Sequence, residues 1–486
     1  MAIDASVPQS PGWWLARLGA RITAEADELD LLWRYATGDP PIPEVPGIAP
    51  GEAKEWMKLA RANWAGLVID APSERLGVDG FRFGSVGGKN ADKDANRIWQ
   101  ENHLDADSDL IHYGALSQRR AFALVEKGSD GRPVITHETP RQFAVEYEQG
   151  SRRRIAAALK LWLDDWTGTT RATLWLPDSI HYFSTPSTEP GFAVMRNELR
   201  GWDPLALPRV RDGIAANPLH RVPAVDFVNR RNRRLSGFAE HEDVLSIQDR
   251  INLSLINLIA AMRYGAFRQR WAAGLEVDED PVTGKAIQPF QLDIKSLWTT
   301  DDHEVRFGEF ASTDLIPYVK AVESATQDLA AISRTPPHYL LGQVVNVSGD
   351  ALKAAETGLV SKVRDRQRNF GESWEQTMRL AFAVLGDDVR ANAFDAETVW
   401  RDPESRTLGE LADAAVKKQS AGVPWRQRME DMGYTPQEID RMEVDRAQDA
   451  LLAPAAPEPN ASVLPFQQPP RDERAVIGRG DIASAA

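Results

Sequence analysis

The fold of this chain is constrained most by a long stretch of helical periodicity over residues 239–270. Apolar side chains recur there at the spacing that places them on one face of an α-helix. They are Val244, Ile247, Ile251, Leu255, Leu258, Ile259 and Met262. Glu240, Glu242 and Asp243 gather at the start of the stretch, where they suit the positive end of a helix dipole. At 1.5 Å per residue the stretch predicts a helix of about 45 Å, longer than the diameter of a small domain.

The residues that follow predict two more helices, which are separated by an insert and a loop. Residues 272–311 form the insert, in which "DEDPVTGK" predicts a hairpin turn. Residues 312–333 predict the second helix, and Pro317 fits there because it falls near the first turn. Residues 350–385 predict a third, very long helix with apolar side chains on one side.

The loop between the second and third helices lies in residues 334–352, "RTPPHYLLGQVVNVSGDAL". Pro336 and Pro337 predict the end of the second helix, because proline lacks an amide donor and disfavours helix in the residue before it. Gly342 permits a turn. The loop is too apolar for ordinary surface and carries no obvious chemistry.

The first half of the chain changes its periodicity near residue 120. Residues 11–35, 51–76 and 91–118 have the period of helices. Residues 120–228 alternate with a period of two between turn sequences such as "GSDGRP" and "DDWTGT", and so predict an antiparallel meander. Helices and antiparallel strands in separate parts of the sequence predict the α+β class.

The end of the chain predicts little further core. Residues 404–450 predict two or three short helices. The tail, residues 453–486, is rich in Ala and Pro with few large apolar residues, which predicts disorder.

Composition excludes several classes of protein. The 486 residues contain no cysteine, which excludes disulfides, thiolate metal sites and cysteine nucleophiles. No window of about 18 uninterrupted apolar residues predicts a membrane-spanning helix, and the first residues lack the basic start and apolar run of a signal peptide. The net charge of −14 argues against a protein that coats DNA by neutralising phosphates, but not against one that lets DNA pass.

The motifs that could support catalysis or metal binding are all incomplete. "GSVGGKN" is one residue short of a phosphate-binding loop, and Asn90 stands where Ser or Thr must bind magnesium. The eight histidines show no ligand spacing. The acid pair Asp164 and Asp165 suits a solvated turn better than a metal site. We therefore predict no enzyme, no metal site and no cofactor, and a structural role instead.

Two basic runs leave two interpretations open. They are "SRRR" at residues 151–154 and "RRNRR" at residues 230–234. Such runs either contact nucleic acid or form a solvated edge that pairs with acidic neighbours, which are abundant in this chain.

Several stretches resemble the portal proteins of tailed phages, the head–tail connectors of double-stranded DNA phages, in their siphophage form. They include "LLWRYATGDPPIP" at 31–43, "RANWAGLVIDAPSERLGVDGFRFG" at 61–84, and "PPHYLLG" followed by "NVSGDALKAAETGLVSKVRDRQRNFGESWEQTMRLAF". The matching stretches are scattered over about residues 31–445. The order of long helix, insert, helix, apolar loop and very long helix is also similar to that of portal proteins.

The resemblance implies a ring-forming portal fold and a role for each segment. The implied parts are a wing of N-terminal helices and β meander (1–238), a stem helix (239–271), a small β-containing clip (272–311), a second stem helix (312–334), a tunnel loop (335–349), a long wing helix (350–403), a short α-helical crown (404–452) and the tail (453–486).

The resemblance also implies functional surfaces without catalytic residues. In the tunnel loop, the uncharged residues that would meet DNA in a channel are Gln343, Val344, Val345, Asn346, Val347 and Ser348. Opposite the apolar stripe, the first stem helix offers small polar groups to the channel at Ser246, Asn252, Ser254 and Asn257. The clip has nine acidic residues against three basic ones. It would dock partners with basic surfaces through Asp278, Glu279, Asp280, Asp301, Asp302 and Glu304.

The implied partners are those of a portal vertex. They are further copies of the chain in a ring of twelve, double-stranded DNA in the channel, the large subunit of the terminase motor, the head-completion adaptor, the major capsid protein and the scaffold; no membrane is implied. The implied location is the portal vertex of the virion, with assembly in the host cytoplasm.

Other interpretations remain open on the sequence. The apolar loop either lines a channel or fills a core between the helices, and the acidic insert either docks a partner or is an exposed hairpin without one. The whole chain could instead be another capsid-associated protein, such as a minor head protein. A metal-dependent nuclease or phosphotransferase would require carboxylates that converge from separate elements.

Overall fold

The structure is a computed structural model, and its described residues fall into two units, Met1–Pro436 and Gln437–Ala486. The described residues are 3–42, 50–84, 91–151, 153–186, 198–199, 201–208, 210–231, 233, 236–266, 270–274, 304–309, 314–342, 349–404 and 406–452. None of the helices in these ranges is long and apolar enough to cross a membrane.

The helices of the first unit lie before and after residues 120–228, which form most of the strands. They are α1 (Pro11–Ala36), α2 (Pro50–Ala60), α3 (Trp64–Ser73), α4 (Lys93–Glu101), α5 (Leu104–Ser117), α6 (Leu245–Ala266), α7 (Ile316–Ser333), α8 (Pro337–Leu341), α9 (Gly349–Leu385), α10 (Asp388–Ala391), α11 (Leu408–Ser420) and α12 (Trp425–Asp431). Short 3₁₀ turns occupy Arg211–Gly213 and Glu242–Val244. The last helix, α13 (Pro436–Leu452), begins at the last residue of the first unit and contains all the described residues of the second.

The strands are short and pair in antiparallel fashion. They are β1 (Ile3–Asp4), β2 (Val78–Phe83), β3 (Arg120–Lys127), β4 (Pro133–Glu138), β5 (Phe143–Tyr147), β6 (Ile155–Asp164), β7 (Thr169–Trp175), β8 (Ser179–Thr185), β9 (Glu198–Leu199), β10 (Asp203–Pro204), β11 (Ile214–Ala216), β12 (Ala224–Val228), β13 (Arg270–Ala273), β14 (Arg306–Glu309) and β15 (Ala396–Trp400).

The predicted meander is antiparallel, but it forms two sheets rather than one. The first sheet has the order β12-β3-β4, and the second has the order β10-β8-β7-β6-β5 with β11 beside β8. The change of sheet follows a turn in which the amides of Gln142 and Phe143 both donate to the carbonyl of Thr139, at 3.1 and 2.9 Å. Mixed helix and antiparallel sheet agree with the predicted α+β class. Residues 187–197 of the predicted meander lie outside the described residues.

Two predicted helices are each broken in the structure. The helix predicted over 51–76 divides into α2 and α3, because the Asn63 side chain accepts from the Gly66 amide at 3.0 Å and caps a new helix. The helix predicted over 91–118 divides into α4 and α5 at His103, whose φ of 54° lies in the left-handed region. The predictions for α1 and α9 are confirmed to within one residue at each end.

The predicted helix at 239–270 begins late, at Leu245, after a 3₁₀ turn. Basic side chains pair with two of the acidic residues that precede it. Glu242 pairs with Arg119, and Asp243 accepts from Arg230 at 2.6 Å.

The main core surrounds α9, which lies against the first sheet and α5. Trp374 of α9 is fully buried and packs edge-on against Trp99 and Phe227, with ring centroids 4.9 Å away in each case. Its indole N–H donates to His112 Nε2 at 2.9 Å. Burial lowers the pKa of His112 to about 3, so the imidazole is neutral at pH 7 and accepts this bond. Trp374, in the second half of α9, therefore holds this long helix in the core.

Candidate channel and docking elements

The first candidate element is the helix pair α6 and α7, which pack together through one face of each. Their shared apolar cluster also includes residues of α3 and α8, and contains Val68, Val244, Ile251, Ala325, Leu329, Ala330 and Leu340. Trp56 and Met57 of α2 pack against Ile256 on α6. Arg250 and Asp328 form an exposed ion pair between the two helices at 2.6 Å. One face of the helix pair is thus buried inside the subunit, and the side chains of the other face are exposed or partly exposed.

Three of the four residues predicted to face a channel lie on the open or partly open surface of α6. Ser246 is exposed, and Ser254 and Asn257 are half-buried. Asn252 is the exception. It is 1% exposed, and its Oδ1 accepts from Gln248 Nε2 at 3.0 Å. We therefore correct the assignment of Asn252, which belongs to the subunit interior.

Gln248 explains why Asn252 is buried. Its Nε2 also donates to the Ala62 carbonyl at 2.7 Å, and its Oε1 accepts from the Ala65 amide at 3.0 Å. This side chain satisfies backbone groups at the break between α2 and α3, where no helical partner exists. The polar pair on α6 consequently fixes the N-terminal helices and does not face solvent.

The second candidate element is the acidic insert, of which the structure describes the base. β13 and β14 pair there as a two-stranded ribbon, with Trp271 opposite Gly308. A Cβ at Gly308 would come within 2.4 Å of the Trp271 ring, so the indole covers the glycine. Glu304 is exposed just before β14. The other predicted docking residues and the predicted hairpin turn lie outside the described residues: Asp278, Glu279, Asp280, Asp301 and Asp302.

The third candidate element is the apolar loop, whose two bases are described. α7 ends at Ser333 because Arg334 adopts a left-handed conformation, with φ 55°, so the prolines begin α8 rather than end α7. Gly342 permits the predicted turn, with φ 61°. The predicted DNA-contacting residues all lie outside the described ranges: Gln343, Val344, Val345, Asn346, Val347 and Ser348.

The first half of the loop packs inside its own subunit. Leu340 is buried in the cluster between α6 and α7. The Tyr339 hydroxyl accepts from Arg75 at 2.7 Å and donates to Glu356 of α9 at 3.2 Å. The core-filling interpretation therefore applies to Tyr339 and Leu340. Residues 343–348 follow directly from this fixed base.

A buried ionic cluster joins the helix pair to α9. Lys362 Nζ lies 3.3 Å from Glu240 Oε1 and donates to the Ser333 carbonyl at 3.0 Å. Arg366 donates to Glu240 Oε2 from two nitrogens, at 3.2 and 3.0 Å. Burial alone would raise the pKa of Glu240, but Lys362, Arg366 and Arg230 outweigh it and lower the pKa to about 2. The carboxylate stays ionised, and through Lys362 the cluster connects the residues before α6, the end of α7 and α9.

Comparison with known proteins decides the family. The family described as "Phage portal protein, SPP1 Gp6-like" matches residues 54–450, well over half of the chain. This chain belongs to the phage portal protein family. It is similar to the portal protein of Mycobacterium phage D29, with 28% identity over 402 residues that cover 79% of this chain and 78% of the relative. It is also similar to the portal protein of Mycobacterium phage L5, with 27% identity over 458 residues, covering 87% and 88%.

The function of the chain is accordingly that of a phage portal protein, a structural component, as the resemblance in the sequence implied. Within the described ranges, no group of three or more His, Asp or Glu residues could hold a metal ion. Asp164 pairs with Arg171 and accepts from Thr167 in a hairpin turn. The acid pair lies in a turn, as predicted, but only Asp165 is solvated, because the Asp164 side chain is 12% exposed and paired with Arg171.

Two arginines of the basic run at residues 230–234 form ion pairs within the subunit. Arg230 and Arg233 both donate to Asp243, at 2.6 and 2.8 Å, and both guanidinium groups lie over the Phe238 ring. The pairing interpretation therefore applies to these two arginines.

The ionic cluster is the feature that sequence reasoning missed. The sequence did carry a sign of this cluster. Leu359, Val363 and Phe370 form an apolar stripe on α9, and Arg366 lies on the same stripe between Val363 and Phe370. A charged residue on a stripe that otherwise predicts burial needs a partner. The partner, Glu240, is distant in sequence, so the sequence alone could not identify it.

Proposed function

We propose that this portal protein assembles into a ring at one vertex of the phage capsid, and that double-stranded DNA passes through the ring during packaging and ejection. The observation that carries the proposal is the open face of the helix pair. Ile316 and Val319 near the start of α7 and Ile332 near its end are 61%, 44% and 52% exposed, although other side chains of the same helix are buried in the subunit. Exposed apolar side chains at both ends of a helix favour contact with a neighbouring copy.

The channel surface follows from the same arrangement. Ser246, Ser254 and Asn257 of α6 offer DNA small polar groups, and residues 343–348 offer uncharged side chains. The exposed Arg250 between Ser246 and Ser254 is paired with Asp328. Weak contacts of this kind suit DNA that must slide, because each Lys or Arg near a phosphate strengthens binding at that position. The net charge of −14 acts in the same direction.

The segments then have the following roles in the ring. Residues 1–238 and 350–403 form the wing, 239–271 and 312–334 the stem, 272–311 the clip, 335–349 the tunnel loop and 404–452 the crown. We assign the terminase large subunit and later the head-completion adaptor to the acidic clip, of which Glu304 is the described member. The major capsid protein and scaffold would contact the outer surface, at the portal vertex of the virion and during assembly in the host cytoplasm.

End-on negative-stain electron microscopy of the purified chain tests the proposal. The expected result is rings with an open centre and cyclic symmetry, twelvefold in the assembled particle. A monomer or dimer at high protein concentration would contradict ring formation. In that case metal-dependent cleavage of double-stranded DNA should be assayed, because detectable cleavage would favour the nuclease alternative.

A further inference from the structure

A cavity of about 790 Å³ lies in the first unit, away from the helix pair. It opens between the end of α1, the helices α3 and α5, and the segment that leads into β5. Trp33 and Tyr113 form part of its wall, packed edge-to-face with ring centroids 6.2 Å apart. Leu110 stands at its rim and is 53% exposed.

The polar lining of this cavity is anionic. Asp70, Glu74 and Asp109 contribute carboxylates. Asp70 and Asp109 make no ion pair with any residue that the structure describes, and burial raises the pKa of each. The lining Arg141 is already paired with Asp30. Burial lowers the pKa of His137, so this residue adds no positive charge at neutral pH. Arg401, the cation that acts on Asp109, is likewise already paired, with Asp79 at 3.3 Å. The cavity thus has carboxylates that no described cation pairs with.

A second observation shows what else an occupant must offer. Gln118 lines the cavity and is 2% exposed, and its Nε2 has no hydrogen-bond acceptor among the described atoms. Buried donors of this kind normally have a partner. A peptide carbonyl would satisfy it, while a basic side chain would satisfy the carboxylates and stack on the aromatic wall. An arginine-containing segment of polypeptide supplies all three contacts.

The chain itself carries such a segment in the loop between β5 and β6. Arg153 is exposed and forms no ion pair in the described structure. Arg154 is 80% exposed and approaches Glu148 only at 3.9 Å. The other basic run, at 230–234, is engaged by Asp243. The loop after β5 is therefore the basic run with side chains available to another molecule.

The loop cannot reach the cavity of its own subunit. Arg141 and Gln142 line the cavity immediately before β5, whereas the loop begins immediately after it. An extended strand of this length separates its ends by about 16 Å, more than an arginine side chain spans. Two complementary surfaces at opposite ends of one strand suit a head-to-tail contact between copies, which is the contact that closes a ring.

We propose that the arginine loop of one subunit, residues 148–154, inserts into the anionic cavity of the next subunit, where Arg153 and Arg154 pair with Asp70 and Asp109. The inference rests on the proposed ring. It adds a specific contact that closes the ring outside the helix pair.

The absence of cysteine from the chain makes cross-linking a direct test. Leu110→Cys at the cavity rim and Gln149→Cys in the arginine loop are both exposed positions that leave every proposed charge in place. Rings of the double variant, treated with a short bismaleimide, should give a ladder of multimers on a denaturing gel. Each single variant should give no species above a dimer. The pair Leu110→Cys with Trp166→Cys is the matched control, because Trp166 is 98% exposed on a different hairpin and should give no ladder.

Charge reversal provides the second measurement. Asp70→Lys with Asp109→Lys should reduce the yield of rings, as should Arg153→Glu with Arg154→Glu, and the fourfold variant should recover it. Rings seen by microscopy that give no ladder, or a fourfold variant that recovers nothing, would overturn the inference and leave the proposed function intact. Absence of rings in the unmodified chain would instead count against the proposed function.

Discussion

Lys362 Nζ lies 3.3 Å from Glu240 Oε1, and both side chains are almost fully buried. Lys362 belongs to the long helix α9, whereas Glu240 precedes α6. The same ammonium group donates to the carbonyl of Ser333, the last residue of α7. Lys362 of α9 therefore connects the residues that precede α6 with the end of α7.

Removing one partner of this cluster should destabilise the subunit strongly. Lys362→Met leaves the Glu240 carboxylate buried with fewer counter-charges, and breaking a buried ion pair in this way costs about 3–5 kcal/mol. Lys353→Met is the matched control in the same helix, because Lys353 pairs with Glu410 at an exposed site. Its effect should stay below about 1 kcal/mol. Urea unfolding measures both values, and equal losses would show that the cluster contributes no more than a surface pair.

Acid should weaken the subunit through Glu240. Its pKa is about 2 in the folded chain against an ordinary value of 4.5. Because the folded pKa is the lower one, the stabilisation is fully present above pH 4.5 and is lost as the pH falls towards 2. In Glu240→Gln the free energy of unfolding should fall less steeply across that window. Parallel curves for the two proteins would contradict the assignment of this acid sensitivity to Glu240.

The bond between Trp374 and His112 should matter for the core of the first unit. Trp374→Phe keeps an aromatic ring but removes the N–H that donates to His112 Nε2 at 2.9 Å. Leaving a buried acceptor unpaired costs about 1–3 kcal/mol, to which lost packing adds. Trp166→Phe makes the same change at a side chain that is 98% exposed and should be close to neutral. The free energies of unfolding of the two variants should differ, and similar values would show that the bond is unimportant.

The parts of this fold that the sequence predicted are those set by local periodicity. The 37-residue helix α9 and the alternating strands have patterns that repeat over many residues. The breaks at Asn63 and His103 were missed, because each depends on one residue that interrupts an otherwise continuous helical pattern. The split of the meander into two sheets, the burial of Asn252 and the pairing of Glu240 depend on contacts between distant residues, which periodicity does not report.

The two asparagines of α6 should respond differently to a negative charge. Asn252→Asp buries a charged carboxylate at a site that is 1% exposed, where Gln248 Nε2 donates to one oxygen and the amide that the second oxygen replaces has no partner. Burying this unsatisfied charged group should cost at least about 1–3 kcal/mol. Asn257→Asp, five residues along on the partly exposed surface, should leave the free energy of unfolding nearly unchanged. Its expected effect is on DNA passage, measured as packaged DNA per particle. A stability loss at Asn257 as large as that at Asn252 would contradict its place on the channel surface.

Shortening Gln343–Ser348 should separate the two interpretations of the apolar loop. Its first base is held by Leu340 in the subunit core and by the bond from Tyr339 to Glu356, so residues 343–348 can be shortened without removing those contacts. If these residues line the channel, rings should still form, and packaging or retention of DNA should fall. A variant shortened by the same number of residues within 85–90 is the control, and should package normally. Failure of the shortened tunnel loop to form rings would show that these residues also fill the core between the helices, as Leu340 does.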